Sequence, residues 1–98
     1  AVDNLEEILK VDGLDAILIG PYDLSASMGI TAKFEDPLFE KTMKRILSMA
    51  QKMNIPSGIH VVAPSVEQLK SRKDEGYRFI AYSIDAVMLA DACKIPEV

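Results

Sequence analysis

The 98-residue sequence predicts a parallel α/β fold. Three observations carry that prediction. Short apolar runs alternate with amphipathic or polar stretches, Gly, Pro and Asp punctuate each change, and the order reads α-β-α-β-α-β-α. Such an order requires parallel strands joined by right-handed crossovers. No tandem repeat, low-complexity tract or flexible linker interrupts the chain, so one domain without an internal boundary is expected over residues 1–98.

Residues 3–10 read as a helix, with Leu5, Ile8 and Leu9 on one face and acidic residues in its first turn. Asp12-Gly13 stops it. Residues 14–19 then form a strand that is apolar on both faces, as a parallel strand covered by helices should be. Gly20-Pro21-Tyr22-Asp23 follows as a turn, with Gly20 allowing close backbone approach and Pro21 fixing the chain direction. A helical turn starts at Leu24 and runs to Met28, its free N–H groups turned toward any bound anion.

Asp36-Pro37 opens the strongest helix, since Asp36 can cap it and Pro37 suits its first position. Phe39, Met43, Ile46, Leu47, Ala50 and Met53 share one face, while Glu40, Lys41, Lys44, Arg45 and Lys52 face water. Asn54-Ile55-Pro56 ends it, and residues 58–63 form a second strand. Ser65-Val66-Glu67-Gln68 matches a capping box and starts a polar helix that runs to Glu75, with Gly76 as its stop. Residues 78–83 are a third strand, and Asp85 caps a last helix through Val87, Met88, Leu89 and Ala92. Three strands make a poor sheet by themselves; in a piece of a closed barrel both outer strands would have lost their neighbours.

Hydrophobic residues make up 49% of the chain, enough for a core. A net charge of −4 without a Lys/Arg stripe argues against nucleic acid and anionic membranes as partners. The apolar runs are far too short to span a bilayer. Ala1 opens the chain with neither an initiator Met nor a signal region, and a lone Cys93 suits a reducing compartment, so a cytoplasmic protein is expected.

Asp23 is the chemically interesting residue, because a carboxylate just past a buried parallel strand occupies the usual active-site end of such folds. It fits a small metal-and-carboxylate site, and it equally fits a helix cap, the commonest job of an Asp after a turn. His60 lies mid-strand and points opposite to Ile59 and Val61, which reads as a satisfied core histidine. Asp85 reads as a cap, the five Met residues as packing filler, and Cys93 as structural. Ser25 and Ser27 lie outside any Gly-x-Ser-x-Gly elbow, and there is no P-loop, dinucleotide fingerprint or Cys-x-x-Cys.

Four blocks then follow one another at a spacing seen in one group of enzymes: Ala1-Val2-Asp3-Asn4-Leu5, the stretch from Leu14-Asp15-Ala16 through Gly20-Pro21-Tyr22-Asp23-Leu24-Ser25 to Gly29, Pro56-Ser57-Gly58-Ile59-His60, and Gly76-Tyr77-Arg78-Phe79-Ile80-Ala81. On these the chain resembles the C-terminal part of the metal-dependent (class II) pyruvate aldolases of the HpcH/HpaI aldolase/citrate lyase type. That group includes 4-hydroxy-2-oxoheptanedioate aldolase and 2-keto-3-deoxy sugar-acid aldolases. The resemblance implies strands six to eight of a (β/α)8 TIM barrel. It implies a carbon–carbon lyase that cleaves a 4-hydroxy-2-oxo acid to pyruvate and an aldehyde.

Asp23 would match one of two acidic ligands of a divalent cation (Mg2+, Mn2+ or Co2+). Gly20, Pro21, Tyr22, Asp23 and Ser25 would match the loop that orients the pyruvate carboxylate. The second acid, the general-base His and an Arg that contacts the oxo group would all precede Ala1, so this chain by itself is expected to be inactive. The resemblance also implies a homo-oligomer in which the closing helix, residues 85–98, is exchanged between subunits. One departure is local: the family's Val-Gly-Ser/Val-Asp after the eighth strand is Tyr82-Ser83-Ile84-Asp85 here. The competing readings are a citryl- or malyl-CoA-type lyase of the same barrel group, and a small α/β binding or signalling module in which Asp23 is merely structural.

Overall fold

A computed structural model describes residues 1–96. A 3-10 turn at Val2–Asn4 leads into α1 (Leu5–Leu9), β1 (Ile17–Ile19), α2 (Pro21–Ser27), α3 (Pro37–Lys52), β2 (Ser57–Val61), α4 (Val66–Glu75), β3 (Phe79–Tyr82) and α5 (Asp85–Ala92). The strands form one parallel sheet in the order β1-β2-β3. The expected alternation is therefore the observed one, with shorter strands. Residues 14–16 stay outside β1, because β2 begins at Ser57, the partner of Ile17, and nothing is left for them to pair with.

Local chemistry sets the helix ends. Asp36 caps α3 by accepting the Leu38 N–H at 2.8 Å, and Pro37 occupies the first helical position. Ser65 Oγ accepts the Gln68 N–H at 3.1 Å, and α4 stops on Gly76 at φ 115°, a backbone state natural to glycine. Asp85 departs from expectation. It is the first residue of α5, Ile84 holds the cap position, and the Asp85 carboxylate accepts the neighbouring Ala86 N–H instead.

Register separates the two faces of the sheet. Ile19, Ile59 and Ile80 lie side by side, followed by Val61 beside Tyr82. This row meets Leu5, Leu9, Phe39, Met43, Ile46, Ala50 and Tyr77 in a single core. Burial pushes the Tyr77 phenol up to about 12, so the ring sits in the core neutral. The other row is Leu18, Gly58 and Phe79, then His60 beside Ala81. Leu18 is 58% exposed and Phe79 41%, so the expectation of cover on both faces of β1 fails: among the described residues the second face stays largely open. The Phe79 ring lies over Gly58, where any Cβ would collide with it.

The radius of gyration is 15.5 Å. A compact domain of this length would have roughly 13 Å. The excess is elongation, with extents of 57 × 27 × 21 Å. α5 buries none of its residues and leaves Met88 and Leu89 exposed. Cys93, expected to be a structural residue, is exposed at the end of that unpacked helix. No described helix is long and apolar enough to cross a membrane.

Candidate active site

Because the strands are parallel, their C-terminal ends share one rim of the sheet, where Ile19 leads into Gly20 and Tyr82 into Ser83. Ligands of parallel α/β folds bind at this rim, toward which the following helix N-termini point.

At the first corner α2 starts three residues before the expected Leu24. Gly20 is its N-cap in extended backbone (φ −98°, ψ 103°), Pro21 is its first residue, and Asp23 sits inside its first turn. Pro21 is itself a helix-start signal, which explains the shift. Asp23 is thus not the cap that an Asp after a turn would commonly be. Its side chain folds back over Gly20 instead, where an added Cβ would lie 3.2 Å from Asp23 Oδ2. Glycine keeps the carboxylate in place by leaving it room. No side chain caps α2, so the first N–H groups of the helix stay open. Asp23 is exposed and has no ion-pair partner among the described residues.

The other expected site residues separate into two groups. Gly20 and Asp23 line the same cavity of about 840 Å³ beside β1, together with Leu18, Ile19 and Leu24. Pro21 and Ser25 are buried beneath it, and the Tyr22 ring packs edge-on against Phe34 at 5.0 Å. Ser25 is fully buried, donating to the Tyr22 carbonyl at 3.0 Å and accepting the Ala32 N–H at 3.0 Å. Both its hydrogen-bonding roles are used in holding the loop after α2, which places it under the corner rather than at its surface.

The second corner was only half legible. His60 does point away from Ile59 and Val61, and its Nε2 donates to the Ser83 carbonyl at 2.9 Å. It sits next to the last residue of β2, close to the C-terminal rim rather than deep in the strand interior. In the sequence Ser83 stands out only as a departure from the family's glycine. It is buried, adopts φ 56°, and its hydroxyl has no hydrogen-bond partner among the described residues.

Hard divalent cations take oxygen ligands, several of them. Asp23 fits such an ion in kind, as a free carboxylate at the rim. Among the described residues, no three His, Cys, Asp or Glu side chains converge to hold one.

A model of the HpcH/HpaI aldolase/citrate lyase family matches residues 1–92. The chain belongs to this family. Within it, the chain is 33% identical over 93 residues to the hydroxypyruvate/pyruvate aldolase of Paraburkholderia phytofirmans, covering 95% of this chain and 35% of that protein. It is 34% identical over 92 residues to the 2-keto-3-deoxy-L-rhamnonate aldolase of Escherichia coli, covering 94% and 34%. The crystal structure of an HpcH/HpaI aldolase/citrate lyase family protein from Burkholderia cenocepacia superposes with a TM-score of 0.85 at 31% identity, covering 93% of this chain and 35% of that one. The HpcH/HpaI chain described here thus spans about a third of the length of its aldolase relatives.

Proposed function

We propose that the chain is one part of a (β/α)8 barrel, its strands the sixth to eighth, in a cytoplasmic carbon–carbon lyase that splits a 4-hydroxy-2-oxo acid into pyruvate and an aldehyde. The observation that carries this reading is the first corner. A carboxylate without an ion-pair partner among the described residues, Asp23, stands over Gly20 at the C-terminal end of a parallel strand, in a chain of an aldolase and lyase family. The barrel accounts for the uncovered row of Leu18 and Phe79, because a barrel interior is filled by side chains from all its strands. It accounts equally for the elongation, which a self-contained binding or signalling module would not show.

In this reading Asp23 is one of the ligands of a divalent cation, Mg2+, Mn2+ or Co2+, with the others on strands outside this chain. When bound, such an ion supplies Lewis acidity that stabilises negative charge developing on the substrate's oxo oxygen. Gly20 gives the substrate carboxylate access to the backbone, and the open N–H groups of Tyr22 and Asp23 orient it. Ser25 fixes these groups from below through the Tyr22 carbonyl. The chain by itself is inactive, since it offers one acidic ligand and its only histidine is engaged with Ser83. Helix α5, unpacked on its own chain, belongs against a partner subunit; positions 97–98 of that expected contact lie outside the described residues.

The test is pyruvate release from a 4-hydroxy-2-oxo acid by the intact protein that contains this chain. EDTA abolishes the activity and Mn2+ or Mg2+ restores it. Cleavage by residues 1–98 alone with added metal, or EDTA-insensitive cleavage by the intact protein, would overturn the assignment.

A further inference from the structure

We propose that His60 is a positioning residue: it holds the corner after β3 in a left-handed turn and so sets the direction in which Ile84 and Asp85 leave the active rim. The inference rests on the reading above for what that rim does, and on the corner's own geometry for how it is held.

Ser83 adopts φ 56°, a conformation that a residue with a Cβ takes only when its surroundings impose it. Its own side chain does not supply the restraint, because the buried hydroxyl bonds to nothing. Two backbone clamps do. The Ser83 N–H donates to the Val61 carbonyl at 2.6 Å, and the Ser83 carbonyl accepts from His60 Nε2 at 2.9 Å. The first clamp merely extends the ladder between β2 and β3. The second comes from a side chain level with Ala81, reaching along the uncovered face to a carbonyl beyond the end of β3. An apolar residue at position 60 would pack on that face equally well and could not donate. Glycine at 83 would take the turn without a clamp. His60 is therefore needed because Ser83 is there, and the two act as a pair.

A double-mutant cycle in the intact protein tests this. His60→Leu lowers kcat/KM for retro-aldol cleavage about tenfold, and the same change made in a Ser83→Gly background lowers it by less than about twofold. His60→Gln, which keeps an N–H donor, recovers most of the loss. Equal losses in both backgrounds would mean that His60 only packs, and would overturn the inference. Should His60→Leu fail to fold, a folded His60→Leu/Ser83→Gly protein supports the coupling and an unfolded one refutes it. If the unmutated protein lacks retro-aldol activity, the proposed reaction is what fails. The same cycle read in unfolding midpoints then decides the role of His60.

Discussion

The two outer strands end at the same rim in opposite manners. After β1, the chain turns on a glycine into a helix whose first residue is proline, and the corner is braced from inside by Ser25. After β3, it turns on a buried serine at φ 56° into a helix that buries none of its residues. Each corner region holds a residue with a Cβ in left-handed backbone, Ala32 at φ 60° and Ser83; the Ala32 N–H donates to Ser25 Oγ, and the Ser83 carbonyl accepts from His60. The difference lies in what surrounds the tie. Ser25 works inside a finished core, whereas His60 works on a face that this chain leaves bare. The first corner is braced from within its own loop; the second is held from the open face of the sheet.

The largest expected effect bears on the first corner. Asp23→Asn in the intact protein lowers kcat/KM at least about 100-fold at limiting metal and leaves the circular dichroism unchanged, since it removes a ligand charge from an exposed position. An unchanged rate would reduce Asp23 to a helix-turn residue and erase the contrast between the corners. Next comes Ser25→Ala. It leaves the Ala32 N–H without its acceptor and removes a second donor from the Tyr22 carbonyl, costing about 1–3 kcal/mol, read by denaturant unfolding. At the second corner the sign reverses. Ser83→Gly removes both the left-handed strain and an unpaired hydroxyl, and stabilises by about 1 kcal/mol in the same assay. A loss of stability there would show that the serine hydroxyl has a partner in solution. The smallest effect is on α5. Leu89→Gln, 66% exposed, shifts the chain's own unfolding by less than about 0.5 kcal/mol, while sedimentation reports a lighter assembly.

Much of this was written locally. Asp36-Pro37, the Ser65/Gln68 pair and Gly76 each encode a backbone event within four residues, and all three occur where the letters place them. The buried face of α3 follows from its spacing alone: Phe39, Met43, Ile46 and Ala50 are all in the core. What could not be read is what depends on pairing. Leu14, Asp15 and Ala16 look like strand, yet whether they join one is decided by where Ser57 begins β2, some forty residues away. The engagement of His60 with Ser83 spans 23 positions and leaves no periodic trace. At the first corner the letters carry two compatible meanings, turn or helix start, and Pro21 serves the latter.

The sheet order has a last consequence. With β1 and β3 outermost, each copy presents one unpaired edge of either kind, both running in the same direction. The β3 edge of one copy can thus extend the β1 edge of the next, a head-to-tail union that the copy itself has no means of ending. Kept apart from any covering strand, the polypeptide is expected to associate with itself through those edges. Light scattering that climbs with concentration would be its signature.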